Sequence, residues 1–288
     1  MTTIVEPPTI PFAGIKSLEL EITGTCQLSC THCLSESSPQ ATHGEMTAAD
    51  WERVIQDAAS LGVRTIQLIG GEPTVHPQWQ HFTELALSLD MGVEVYSNLF
   101  HVAPTWWDLL ARDGVTLGTS YYSDDPTEHD RITRREGSYL RTRENIREAL
   151  SLGIAVRAGI VSVLPDQRVA QARAELEALG VTRITMDRAR AVGRSRLPGT
   201  EPSLDEMCGR CTRGRAAVLP NGNLAGCVLA RDFPAGNVKN HGLAELLSGR
   251  KWADLAANVP LPRLDACPPD DSSDCNPANT EACSPSSD

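Results

Sequence analysis

The chain has no apolar run that approaches the ~18 residues a membrane-spanning helix needs. Its opening residues, MTTIVEPPTIPFAG, lack a basic start followed by an apolar stretch, so no signal peptide is read there. It has no block of Lys or Arg, and its net charge is −11; both argue against nucleic acid as a partner, which normally meets a basic face. No internal repeat of roughly 20–50 residues recurs. These absences predict a cytoplasmic protein with no membrane contact. What remains is 288 residues, 41% hydrophobic and 22% charged, enough for one large α/β domain or a domain with a small appendage. The unusual feature is nine cysteines. An odd number in a reducing compartment fits a disulfide framework poorly, which leaves metal or redox chemistry.

Strand and helix patterns alternate along the first two thirds of the chain. Strands are read at 16–23, 64–71, 93–98, 115–123, 154–164 and 181–189, and helices at 47–62, 78–89, 105–114, 141–153 and 168–180. The first helix has Thr47 as its N-cap and Gly62 at its C-terminal end. Such alternation implies right-handed βαβ units and a parallel sheet. Six strands instead of eight predict an open, partial (β/α)6 barrel, with function at the C-terminal ends of its strands. Residues 1–192 are assigned to this barrel, 193–264 to a cysteine-bearing region, and 265–288 to an acidic, Pro- and Cys-rich tail.

The segment CQLSCTHC follows the first strand and places Cys26, Cys30 and Cys33 at that functional end. Structural zinc usually takes four ligands in two close pairs. Three thiolates can instead hold three corners of an iron–sulfur cube and leave the fourth iron open. A Cys-x3-Cys-x2-Cys run after strand one, with IGGEP (69–73) after strand two, resembles the radical S-adenosylmethionine (SAM) enzymes. That resemblance implies a 4Fe–4S cluster on Cys26, Cys30 and Cys33, with SAM bound near Gly70, Gly71, Glu72 and Pro73. Glycine lets backbone approach a ligand closely, and Glu72 would add charge beside the amino group of SAM. It also implies SAM contacts from Ser97, Asn98 and Ser120, with Tyr122 or Tyr121 facing the site. His32 stands where the family usually has an aromatic residue, and would lie near the adenine. A buried Arg157 needs an anion, and the carboxylate of SAM is one choice; an outward Arg157 is the other. Asp187 and Arg188 end strand six and are placed to meet substrate. By resemblance, the reduced cluster passes one electron to SAM, and the 5'-deoxyadenosyl radical so released takes a hydrogen atom from an unactivated carbon.

The remaining cysteines are Cys208, Cys211, Cys227, Cys267, Cys275 and Cys283. Cys211 and Cys227 enclose a PNG turn containing Gly222, and the spacing resembles the opening of the twitch or SPASM extension of the same superfamily. A zinc ribbon is the competing reading. The resemblance implies one auxiliary 4Fe–4S cluster from Cys208, Cys211, Cys227 and one tail cysteine, with two such clusters as the alternative. The dense cysteine group of a full SPASM region is missing, and two thiols are left over. Cys267 and Cys275 are therefore candidate hydrogen-atom donors.

Two substrate classes follow. One is a small natural product such as an aminoglycoside, epimerised or dehydrogenated as by enzymes similar to neomycin C epimerase or 2-deoxy-scyllo-inosamine dehydrogenase. The first cysteine at residue 26 leaves no room for an N-terminal peptide-recognition domain, which favours it. The other is crosslinking or epimerisation of a ribosomally made peptide, with a separate recognition protein. A one-electron reductant of flavodoxin or ferredoxin type is implied in both cases. A non-enzymatic iron–sulfur or zinc-binding protein is the third reading.

Overall fold

The computed structural model describes residues 14–262. Six parallel strands come in sequence order: β1 (Ser17–Thr23), β2 (Thr65–Gly70), β3 (Gly92–Tyr96), β4 (Val115–Tyr121), β5 (Val156–Ser162) and β6 (Arg183–Arg188). Between them run α1 (Ala48–Ser60), α2 (Trp79–Ser88), α3 (Trp107–Leu110), α4 (Pro126–Thr133), α5 (Ser138–Ser151) and α6 (Val169–Leu179). This is the expected mixed α/β architecture with a parallel sheet, a partial barrel. Helix α1 starts on a capping box: Thr47 accepts from the Asp50 amide and Asp50 accepts from the Thr47 amide.

Three local expectations are corrected. Helix α4 was not anticipated, although Asp125 followed by Pro126 and Glu128 spells an N-cap, a first-turn proline and an acidic first turn. The helix read at 105–114 is a 3-10 turn, Pro104–Trp106, and the four residues of α3. Helix α5 begins earlier than 141, because Gly137 takes up the left-handed conformation and starts the turn at Ser138.

The cysteine-bearing region does not stand apart from the sheet. Its strand β7 (Arg215–Val218) pairs in parallel with β1, and β8 (Asn223–Ala225) and β9 (Gly236–Asn237) continue antiparallel, giving one nine-stranded sheet. Strand β1 is thereby central, with no exposed edge. Helices α7 (Leu243–Ser248) and α8 (Arg250–Asn258) follow.

Alternation along the strands decides what faces the barrel interior. In β1, Leu18, Leu20 and Ile22 are fully buried in the helix-facing core. Glu19 and Glu21 point the other way, and each meets an arginine of the extension: Glu19 meets Arg215 at 3.2 Å, and Glu21 meets Arg231 at 2.9 Å. The same inner row continues through Gln67, Glu94 and Arg157. Closed eight-stranded barrels fill this space with branched apolar side chains. Here it is polar and encloses a cavity of about 560 Å³.

Candidate active site

The cavity is walled by both sets of cysteines. Cys26, Cys30 and Cys33 line it, and so do Cys208 and Cys227. The CQLSCTHC loop is tied down along its length. The Ser29 and Thr31 amides donate to the Thr133 and Ile132 carbonyls at the end of α4, at 3.2 and 2.9 Å. On the other flank the Arg194 guanidinium donates to the Cys30 and Ser37 carbonyls.

The sulfurs themselves receive donors. The Leu28 amide and the Asn98 side-chain amide approach Cys26 Sγ at 3.4 and 3.5 Å, and the Ser37 amide approaches Cys33 Sγ at 3.3 Å. Burial pushes the bare Cys26 thiol up, and pushes that of Cys30 up to about 12 with a smaller contribution from Cys33. Buried sulfurs that carry charge need N–H donors and a cation, and iron would supply the second. Among the described residues no three His, Cys, Asp or Glu side chains converge on a single ion. The loop brings three thiols to one cavity, the number that can hold three corners of an iron–sulfur cube.

Strand two ends in the cradle that the sequence singled out. Gly70 and Gly71 line the cavity. A Cβ on Gly71 would sit 2.4 Å from the Thr25 carbonyl oxygen, so only glycine lets the two strand ends close on each other. Pro73 opens the 3-10 turn Pro73–Val75.

Glu72 does not line the cavity. Its carboxylate is wholly buried, and accepts from the Thr74 hydroxyl at 2.8 Å and from the Asn98 amide at 2.8 Å. Burial pushes its pKa up despite these bonds. In this arrangement Glu72 ties the turn after β2 to the end of β3. Ser97 is likewise buried, and accepts from the Leu99 amide. Asn98 lines the cavity and aims its side chain at Cys26 and Gln27.

Arg157 faces inward, and Glu94 supplies the anion it needs, through contacts of 2.6 and 3.0 Å. Gln67 completes that group on the other side of Glu94. A ligand carboxylate is therefore not required to keep Arg157 charged. Ser120 lines the cavity and meets the Tyr96 hydroxyl at 3.1 Å. Space for the Tyr96 ring comes from Gly118, where a Cβ would lie 2.4 Å from it.

Of the two tyrosines, Tyr122 faces the cavity and Tyr121 points outward to Glu175, at 2.6 Å. The His32 ring packs edge-on against Tyr122 at 5.0 Å, its Nδ1 has no hydrogen-bond partner, and burial pulls its pKa down to about 4. Asp187 and Arg188 both line the cavity; Asp187 pairs with Arg190, and Arg188 with Glu206.

Cys211 and Cys227 are buried with their sulfurs 2.9 Å apart, and Cys208 is half-buried at the cavity. Cys267, Cys275 and Cys283 lie outside the described residues. The inner row of charges, from Glu19 and Glu21 to Glu94, was not singled out from sequence. Its signal was present: two glutamates alternating with leucines in a strand read as buried.

His129 on α4 packs edge-on against Tyr122, is 1% exposed, and burial pulls its pKa down to about 4. The unfolded chain therefore takes up this proton first as pH falls below 6.5, and stability drops from there to about 4. Relative to a His129→Phe variant, the native protein should lose ~1.4 kcal/mol per pH unit across that window. Urea unfolding of both proteins at several pH values measures this; parallel curves would refute it.

The radical SAM superfamily signature matches residues 20–177, more than half of the chain. The chain belongs to the radical SAM superfamily. Members carry a 4Fe–4S cluster and SAM, and the loop and cradle above fit both. This radical SAM protein is 28% identical over 220 residues to the PqqA peptide cyclase of Ruegeria pomeroyi, covering 75% of this chain and 54% of that protein. It is 30% identical over 141 residues to the sporulation killing factor maturation protein SkfB of Bacillus subtilis, covering 49% and 34%. The matches thus span about half the length of the first relative and a third of the second. Among solved structures, Streptococcus suis SuiB bound to SAM superposes with a TM-score of 0.67 at 16% identity, over 84% of this chain and 67% of that one. The enzyme anSMEcpe with SAM and a peptide gives 0.64 at 12% identity, over 83% and 81%. Both share the fold. Among the described residues no helix is long and apolar enough to cross a membrane.

Proposed function

We propose that this radical SAM enzyme modifies a ribosomally made peptide, by crosslinking or epimerisation. In this reading Cys26, Cys30 and Cys33 hold the SAM cluster, and Gly70 and Gly71 carry the backbone that meets SAM. Cys208, Cys211 and Cys227 hold one auxiliary cluster, completed by a tail cysteine. Cluster and SAM together supply a 5'-deoxyadenosyl radical; the chain positions the substrate and excludes competing reactions.

The charge of the cavity carries the choice of substrate. Its three lining carboxylates, Glu19, Glu94 and Asp187, are each bound to an arginine. An aminoglycoside presents several ammonium groups, and among the described residues this wall offers them no unclaimed carboxylate. A peptide segment without net positive charge meets no such penalty. Relatives named for peptide cyclisation and maturation support the same reading.

Aminoglycoside epimerisation stands second, supported by spare thiols beyond a single auxiliary cluster. Two assays separate the readings. The reconstituted enzyme, SAM and dithionite are incubated in heavy water with candidate precursor peptides, or with neomycin-type aminoglycosides. Loss of two hydrogens from a peptide, or deuterium gained by it, together with 5'-deoxyadenosine, is the expected result. Deuterium gained only by the aminoglycoside would overturn the peptide reading.

A further inference from the structure

Residues 131–141, RITRREGSYLR, hold four arginines and one glutamate in a chain whose net charge is −11. Arg131, Arg134, Arg135 and Arg141 are all exposed. Among the described residues none of the four has an acidic side chain at ion-pair distance. The neighbouring Arg143 and Arg147 are paired, with Glu175 and Glu144. Asp130 is turned inward and used by the Gly137 amide, the Ser138 hydroxyl and the Tyr139 amide. Two arginines on the extension are matched as well, Arg196 with Asp232 and Arg231 with Glu21. One cation in the last turn of α4 would serve the helix dipole, and Arg131 already does so.

The patch lies against the cysteine loop. The amides of Ser29 and Thr31 are bonded to the carbonyls that immediately precede Arg134. The guanidinium groups of Arg135 and Arg141 stack on the Phe100 ring at 5.1 and 5.2 Å. Phe100 in turn packs with Cys26, Leu28 and Cys30. A single aromatic ring thus separates two exposed cations from two of the three proposed cluster thiols. Leu140, 58% exposed, adds an apolar contact beside Arg141.

We infer that this surface docks an acidic one-electron carrier protein, of the flavin or iron–sulfur class. The inference rests on the radical SAM reading, which requires one electron per SAM cleaved. At this step one electron leaves the carrier's reduced centre and reduces the cluster; no bond or proton moves. A chain of net −11 repels an acidic partner over most of its surface. A local cationic patch reverses that repulsion at one place and so fixes the orientation of encounter. Electron transfer falls steeply with distance, so a patch beside the thiols is where docking is productive.

The test is a double reversal, Arg131→Glu with Arg134→Glu, set against Arg112→Glu with Arg250→Glu, which changes the charge equally at exposed positions outside the patch. Arg134 already adopts a φ of 54°, and glutamate is no more strained there than arginine. Binding of a purified bacterial flavodoxin is measured by biolayer interferometry at low and high salt. The patch reversal should weaken binding at low salt by at least about tenfold more than the control reversal, and the gap should close at high salt. Reduction of the cluster by reduced flavodoxin, followed by its absorbance, should slow in parallel, while dithionite-driven SAM cleavage stays unchanged. Equal binding by the two reversals would overturn the docking site. Failure of the native protein to cleave SAM with dithionite would instead overturn the proposed function, and leaves the binding comparison intact.

Discussion

Replacing Cys26, Cys30 and Cys33 together by alanine should return SAM cleavage to its background rate, a loss of at least about a millionfold. All three sulfurs face one cavity, and Cys26 and Cys33 receive N–H donors; the loop that carries them is fixed by bonds to α4 and to Arg194. Alanine removes the ligands without disturbing those backbone bonds, so the fold should survive and circular dichroism should be unchanged. Iron and sulfide assays after anaerobic reconstitution then report on the second set of cysteines. About four irons remaining per chain would mean one auxiliary cluster. About eight would mean two, and would shift the reading toward net oxidation of substrate. No remaining iron would remove the auxiliary cluster altogether. The complementary Cys208→Ala, Cys211→Ala variant should retain uncoupled SAM cleavage while losing product. Full product from it would count against any role for the extension's thiols.

The largest effect on stability is expected at Arg231. Its guanidinium meets both oxygens of Glu21 at 2.9 and 3.3 Å, and the Glu21 side chain is only 2% exposed. Arg231→Ala leaves that carboxylate buried without a counter-charge, which costs about 3–5 kcal/mol. A double variant, Glu21→Leu with Arg231→Met, removes both charges and should recover most of the loss. The pH dependence follows from burial, which holds the Glu21 pKa above its ordinary value even with Arg231 present. The folded variant therefore keeps a proton that the unfolded chain releases above 4.5. Its deficit should shrink as pH falls toward that value. Urea titrations of the three proteins at neutral and mildly acidic pH measure both points. A deficit independent of pH would mean that lost packing, and not the buried charge, dominates.

Much of this protein is written in local pattern. Alternating strands and amphipathic helices specify a parallel sheet, because each element must bury one face against the next. Three thiols within eight residues, followed by a Gly-Gly turn one βα unit later, point to a candidate cofactor site at the C-terminal ends of the strands, since both signals are short-range. Helix α4 was legible as well, in the Asp125 cap and the proline after it. These features depend on neighbours in sequence, and sequence reports neighbours directly.

Tertiary structure alone decided the partners of the buried charges. Nothing local told that Arg157 would be neutralised by Glu94, 63 residues away, or that Glu21 would be met by Arg231 across 210. Nor did it tell that Glu72 would be consumed in bonding the ends of two strands, with Tyr122 and not Tyr121 turned inward. The extension's place on the free edge of β1 belongs to the same class, as does the cavity that Cys208 and Cys227 share with Cys26, Cys30 and Cys33. A charge or a sheet edge is indifferent to which distant residue satisfies it. The choice is made by the geometry that the whole chain adopts to bury its apolar faces.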